Sequence, residues 1–550
     1  HAVPSEIYAI SGVGMAKVRG KDKMQDSAVG SVSGATTYVC ASVCAKLCAK
    51  VGMLIGTLLS ITACSPQASN PTLNAAAQPQ RPNIVVLFAD DMGYGDLSSY
   101  GHPYIRTPEI DELARQGQRW TDFYVASSVC SPSRGALLTG RLPVRTGIYG
   151  NAIRVYFPDE PWGMPSSEVT LAEALQDRGY KTGMFGKWHL GDGPDALPTR
   201  HGFDEWFGVP YSNDMNWVGE PDFEALVKLS MSGDVEKQAM YYARRSAKYA
   251  EPKESYWEAP LITSRKAAGE YVDTIEQPAA QSTLTKRYTE EAIKFINKSG
   301  TNPFFLYVPY TMPHTPLFRS PEFEGKSLGG RYGDVVEEID WSVGAIQDAL
   351  KKAGVLENTL VVFSSDNGPW LKMHEEGGRA GLLRHGKGTT YEGGMRVPTV
   401  FSWPGTLPSG VVSEIGSTLD LFATVMALTK MPEDAAVTSG VDGFDLTATL
   451  LEKTASPRQE MPFYRGGSLY AYRKGPWKMH FITEGAYDEG EKRTKHNIPQ
   501  LYHLLRDPSE RFDVAEKYPE VMADLLAAAA DHQQSVDIQP PLFDRRLMPR

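Results

Sequence analysis

From Arg81 onward, apolar residues along this chain fall into two kinds of run. Residues 82–89 (PNIVVLFA) are apolar and β-branched with scarcely a polar break. A strand with one solvated face would alternate, so the run predicts a central strand buried on both faces. Residues 359–365 (TLVVFSS) and 304–308 (FFLYV) repeat the pattern. Between them, 170–178 and 332–353 carry apolar residues at helical spacing. Strands alternating with helices predict an α/β sandwich, whose functional groups gather at strand ends. From about Pro457 the pattern shifts to short amphipathic strands at 468–472, 477–482 and 501–504. A turn at 507–510 and a helix over 519–530 follow. The expected division is a large α/β domain over 81–456 and a small α+β domain over 457–550. The stretch 216–278 has charge clusters and many aromatics but little periodicity. It reads either as a surface excursion or as one wall of a pocket.

Ahead of this body, Lys46 and Lys50 precede the apolar run 51–59, which leads to Ile61-Thr62-Ala63-Cys64. A basic flank, a short apolar stretch and small residues predict a secretory signal; the run is too short for a comfortable transmembrane helix. The ending also resembles a bacterial lipobox, which implies cleavage before Cys64 and lipidation of its thiol. A plain signal cut between Ala63 and Ala77 is the alternative. Residues 1–64 are therefore assigned to an extension and signal segment, and 65–80 to a flexible tether. The expected location is exported, periplasmic or outer-surface, with a lipid anchor in the membrane.

Charge narrows the partners. Lys and Arg number 56 against 66 Asp and Glu, a net charge of -10. That argues against nucleic acid, whose affinity rests on cations neutralising phosphates. A few cations in one pocket can still hold a small anion. Four of the five cysteines precede residue 65, so the folded body keeps only Cys130 and can form no internal disulfide.

The strand ends carry the chemistry. The first long run ends in Asp90-Asp91, the run at 359–365 in Asp366-Asn367-Gly368. These four side chains offer hard oxygen ligands, a set suited to Ca²⁺ and less so to Mg²⁺. Either pair alone could be a solvated turn. Cys130 opens the segment Cys130-Ser131-Pro132-Ser133-Arg134, in which Pro132 falls where a first helical turn tolerates proline. A cysteine near a helix start with an arginine close by predicts a reactive site; a buried structural thiol is the alternative. A phosphatase loop would need arginine six positions after the cysteine, and that position is Ala136.

At these residues the chain resembles the type I, formylglycine-dependent sulfatases. C-S-P-S-R followed by G-A-L-L-T-G-R is similar to the family signature, and Lys187-Trp188-His189-Leu190-Gly191 to its second signature. His201-Gly202-Phe203-Asp204, Pro210-Tyr211-Ser212-Asn213-Asp214, His314 in P-H-T-P, Asp366-Asn367-Gly368 and Gly386-Lys387 follow in the family's order. The nearest resemblance is to the branch of arylsulfatase A and N-acetylgalactosamine-6-sulfatase.

The resemblance implies an alkaline-phosphatase-like sandwich, with a large mixed sheet flanked by helices and a small C-terminal domain of antiparallel sheet and one helix. It implies that a formylglycine-generating or radical maturase oxidises Cys130 to an aldehyde. It also implies that Asp90, Asp91, Asp366 and Asn367, with the modified Cys130, bind Ca²⁺. Arg134 would help activate the aldehyde hydrate, and His189 would serve as base. Lys187, Lys387 and Ser212 would hold the sulfate, and His314 would protonate the leaving alcohol. The implied activity is hydrolysis of a sulfated carbohydrate or aryl sulfate. Two rivals are a phosphate or phosphonate ester hydrolase with the same machinery and a lipoprotein that binds sulfated glycan without turnover. His385, Arg379 and Arg384 lie near Lys387 in sequence and could meet the sugar. The small domain is expected to contribute little to the chemistry.

Overall fold

The computed structural model describes residues 81–547 apart from 161, 221–222, 268, 430–439 and 488. The expectations for the signal segment 1–64 with Cys64, and for the tether 65–80, lie outside the described residues.

Among the described residues, ten strands form the main sheet: β1 (Asn83–Ala89), β2 (Gln118–Tyr124), β3 (Lys181–Phe185), β4 (Glu205–Gly208), β5 (Leu261–Ala267), β6 (Glu270–Glu276), β7 (Phe304–Pro309), β8 (Thr359–Ser365), β9 (Thr399–Ser402) and β10 (Gly410–Ser417). Their order is β10-β2-β9-β8-β1-β7-β3-β4-β5-β6, and the middle of the sheet, from β8 to β4, is parallel. The sheet is mixed, because β9, β5 and β6 pair antiparallel with their neighbours.

β1 shows why a continuous apolar run belongs at the centre. Ile84, Val86 and Phe88 pack into one core with Leu137, Leu171 and Phe422, while Val85, Leu87 and Ala89 pack into the other with Leu284, Val335 and Ile339. Each large side chain so buried contributes roughly 1.5–3 kcal/mol. The helix Gly330–Lys352 covers one of these faces, matching the predicted span. The shorter helix Leu171–Gln176 sits on the opposite face and starts at a capping box. There Thr170 Oγ1 accepts from the Glu173 N–H at 3.1 Å, and the Glu173 carboxylate accepts from the Thr170 N–H at 2.7 Å.

The stretch 216–278 is more ordered than its sequence pattern. It holds helices Phe223–Met231 and Val235–Ala250, the strand β5 and the edge strand β6. β6 is exposed at every position, so it has no buried face to write an alternation into the sequence.

The C-terminal region forms a second, antiparallel sheet of β11 (Glu460–Arg465), β12 (Ser468–Lys474), β13 (Trp477–Thr483) and β14 (Thr494–His503). The helix Pro519–Ser535 packs on it through Met522, Leu525 and Ala529 against Leu469, Tyr472, Met479 and Leu501. No helix among the described residues is long and apolar enough to cross a membrane.

Candidate active site

Strand register builds the acidic half of the site. β1 and β8 run parallel with Ala89 opposite Ser365, and the Asp366 N–H donates to the Ala89 carbonyl at 3.1 Å. The residues after each strand therefore emerge side by side, and Asp90, Asp91, Asp366 and Asn367 are all buried. Asp91 takes a left-handed φ of 66°, which turns its N–H onto Asp366 Oδ1 at 3.1 Å. Its own carboxylate accepts from Asn367 Nδ2 at 2.7 Å and from Lys387 Nζ at 2.8 Å.

Cys130 is the first residue of the helix Cys130–Thr139, with Pro132 in the first turn. Its thiol donates to Asp90 Oδ1 at 3.4 Å. One turn along the same helix, Arg134 reaches Asp366 Oδ2 through Nε at 2.9 Å and donates to the Lys187 carbonyl at 3.0 Å. Lys187 follows β3 and pairs with Asp90 Oδ2 at 2.5 Å. Gly186 makes that turn possible: its φ is +143°, and an added Cβ would lie 1.9 Å from the Pro309 carbonyl oxygen.

The remaining candidates converge on the same place. Ser212 Oγ lies 3.2 Å from Lys187 Nζ and 3.3 Å from both ring nitrogens of His314. The Thr315 carbonyl, which can only accept, lies 2.6 Å from His314 Nδ1, so that nitrogen carries a proton. His314 Nε2 then points toward Asp91 Oδ2 at 3.6 Å. By the same logic His189 Nε2 donates to the Tyr156 carbonyl at 3.0 Å. Its Nδ1 is left as a buried acceptor without a partner.

The charges do not balance evenly without a cation. Burial alone would raise Asp90, but Lys187 and then Arg134 outweigh it and hold that carboxyl well below its ordinary range. Asp366 goes the other way. Burial and then the charge of Asp90 push it up to about 7 against the pull of Arg134. Ligand atoms of Asp90, Asp91, Cys130 and Asp366 all lie within 4.8 Å of one another, and Asn367 Oδ1 is buried with no partner. Crowded oxygens and an orphaned amide oxygen fit a divalent cation, whose charge would keep both coupled carboxyls ionised.

Comparison with known proteins agrees with this geometry. The model of the sulfatase family matches residues 82–431, and that of the C-terminal region of aryl-sulfatase matches 456–549. The chain belongs to the sulfatase family. It is 41% identical to human arylsulfatase A over 473 residues, covering 82% of this chain and 86% of that protein. It is 38% identical to mouse N-acetylgalactosamine-6-sulfatase over 503 residues, 86% of this chain and 90% of the other. The crystal structure of the PsFucS1 sulfatase from Pseudoalteromonas sp. superposes with a TM-score of 0.71 at 29% identity, covering 84% of this chain and 92% of that one. The protein is thus a sulfuric ester hydrolase, with the large mixed sheet and small antiparallel domain its sequence led us to expect.

Sequence reasoning did not single out two aromatic residues of this sulfatase. Trp370 places its ring 5.4 Å from that of His314, with Lys387 Nζ 4.7 Å above it. Tyr487, from the turn after β13, lies 5.2 Å beyond Trp370. Both line a cavity of about 530 Å³ with Tyr242, Arg245 and Tyr249 of the helix Val235–Ala250. The stretch 216–278 therefore does form a wall, and the small domain, expected to contribute little to the chemistry, supplies Tyr487 to the same cavity. Arg384 and His385 turn away to Glu491, at 3.3 Å each, and the Arg379 N–H donates to Asp96. His480 is buried against Glu510 at 2.6 Å.

Proposed function

We propose that this sulfatase removes O-linked sulfate from a carbohydrate, with calcium as its resident cation and residue 130 working as formylglycine. The observation that carries the reading is the convergence of Cys130 with three carboxylates and the cations Arg134, Lys187 and Lys387 in one buried cluster. As a thiol, residue 130 is a weak nucleophile there, because burial and then the Asp366 charge push its pKa well up. Hydrated formylglycine supplies a hydroxyl nucleophile instead, and a divalent cation supplies charge that favours its ionised form. Calcium suits the set better than magnesium because it tolerates irregular oxygen geometry.

The protein's own groups divide the remaining work. Arg134, held by Asp366 and the Lys187 carbonyl, faces residue 130 from one helical turn away and orients its hydroxyl. Lys187 and Lys387, anchored on Asp90 and Asp91, hold the sulfate oxygens where negative charge grows, and Ser212 adds a hydroxyl donor. His314 donates from Nε2 to the leaving alkoxide of a sugar, which needs a proton to depart. Because Nδ1 holds the resting proton, Nε2 must be protonated as well before it can donate; burial and then Lys387 oppose that charge, while the Asp91 and Asp90 carboxylates favour it. His189 accepts a proton at Nδ1; burial and then Lys187 keep it well below its usual pKa and hence neutral.

The aromatic faces of Trp370, Tyr249 and Tyr487 suit a sugar ring beside the sulfate, and one relative is named for a sulfated amino sugar. The test is release of inorganic sulfate from a panel of sulfated mono- and disaccharides, alongside aryl sulfate and aryl phosphate. Sulfate esters should be turned over at least about 100-fold faster than phosphate. A preference for phosphate would move the assignment to phosphate or phosphonate esters, and tight glycan binding without release would make this a binding protein. The proposal extends to a maturase that oxidises Cys130 and to export with a lipid on Cys64. The basic flank, apolar run and small residues ahead of Cys64 support the latter. Mass analysis of the membrane-bound protein tests both.

A further inference from the structure

A second cavity, of about 300 Å³, opens where β11, β12 and the connection between β13 and β14 meet the start of the Cys130 helix. Its walls include Ser128 on the segment leading to Cys130 and Gly388 directly after Lys387, tied together by the Gly388 N–H donating to the Ser128 carbonyl at 2.8 Å. Three arginines line it, Arg154, Arg465 and Arg493, against one acid, Glu484.

The pairing leaves positive charge over. Glu484 lies 3.3 Å from Arg465 and also accepts from Tyr470 at 2.5 Å. Arg493 bonds only the neutral Tyr470 hydroxyl, at 3.2 Å. Arg154 has no hydrogen bond or ion pair with any described residue. It lies over the Tyr487 ring at 5.6 Å, and its buried Nη1 is without a partner. Arg465 registers the crowding, since burial and then the charge of Arg154 pull it down to about 10. Three guanidinium groups sharing one counter-ion, Glu484, and facing one concave space make a site for a planar or tetrahedral oxyanion.

We infer that Arg154, with Arg465 and Arg493, binds a second acidic group, a carboxylate or another sulfate, carried by the glycan whose sulfate ester is cleaved at residue 130. The inference rests on the sulfatase reading above. The cavity is one residue from Lys387 and one from Cys130 along the chain, and Tyr487 stands between Arg154 and Trp370. A substrate reaching from the aromatic cavity past Tyr487 would therefore bring a neighbouring acidic group to Arg154. A free inorganic oxyanion shares the chemistry and is the other source of the same contact.

The test uses the full, formylglycine-loaded protein carrying Arg154→Gln, with Arg493→Gln as a second variant because its loss leaves no buried acid unpaired. Turnover of p-nitrophenyl sulfate reads the sulfate site by itself and should stay within about twofold. For a sulfated disaccharide with a second acidic group, kcat/KM should fall at least about tenfold, mostly through KM, while the matching neutral disaccharide holds. If both disaccharides instead behave alike and the variants lose part of the thermal stabilisation given by inorganic sulfate, the cavity holds a free oxyanion and the glycan assignment is overturned. Neither change overturns the anion site altogether. Should the wild type hydrolyse no sulfate ester, the sulfatase reading fails, and the inorganic sulfate measurement still reads the cavity.

Discussion

Asp91 illustrates what the site demands of single residues. It holds a left-handed backbone that costs roughly 1–3 kcal/mol, and it does so to bring a carboxylate, an N–H and two neighbours into one contact set. In the proposed mechanism turnover depends on Cys130. Cys130→Ala should lower sulfate release at least about 1,000-fold while circular dichroism and Tm stay near wild type; retained activity would refute the mechanism. In the same proposal His314 acts on the leaving group. His314→Ala should therefore cost about tenfold or more on a sugar sulfate beyond its cost on a nitrophenyl sulfate, and equal losses would remove its role as acid. His201 sets a pH limit. It is buried and stacked on Trp188, and burial lowers it from 6.5 to about 4. Its unfolded form binds a proton first as pH falls, so its contribution is complete above the unfolded pKa and is lost on the way down to the folded one. That loss amounts to about 2 kcal/mol by pH 5. His201→Phe should lose correspondingly less urea stability between pH 7.5 and 5, and unchanged pH dependence would contradict the assignment. At this scale Asp90, Asp91, Asp366 and Cys130 were legible because each follows a buried strand or opens a helix, and the other site residues through the family motifs that hold them. Trp370 and Tyr487 were not, because an aromatic residue's role depends on what it faces across the fold.

Elements explain how distant residues become neighbours. The parallel register of β1 and β8 places Asp90 beside Asp366, and the unbroken apolar runs announced both strands in the sequence. β5 and β6 went unseen, since the exposed edge strand β6 carries no periodic signal and β5 is buried only over its first half. The link between the sheets was equally hidden. Lys478 on β13 is fully buried and holds Glu392, from the helix Glu392–Met395, at 2.9 Å and Glu510 at 3.0 Å. Lys478→Met would leave two buried carboxylates short of a partner and should cost about 3–5 kcal/mol in urea unfolding. A loss under about 1 kcal/mol would mean that Arg396 and His480 suffice to hold those acids.

At the scale of the molecule, an acidic chain concentrates its cations where an anion must bind. Asp90, Asp91 and Asp366 face Arg134, Lys187 and Lys387, and a divalent ion would give this cage the excess positive charge that a sulfate ester needs. Chelation should therefore abolish turnover and lower Tm. Restoring free calcium to about 100 times its Kd should return about 2.7 kcal/mol of stability. A Tm indifferent to chelator and calcium would contradict the cation assignment. The most direct test of the whole account is peptide mass analysis of residue 130 across preparations matured to different extents, paired with sulfate release from each. Activity should rise in proportion to the aldehyde fraction and vanish where the residue is entirely thiol, whereas full turnover from all-thiol protein would contradict the account.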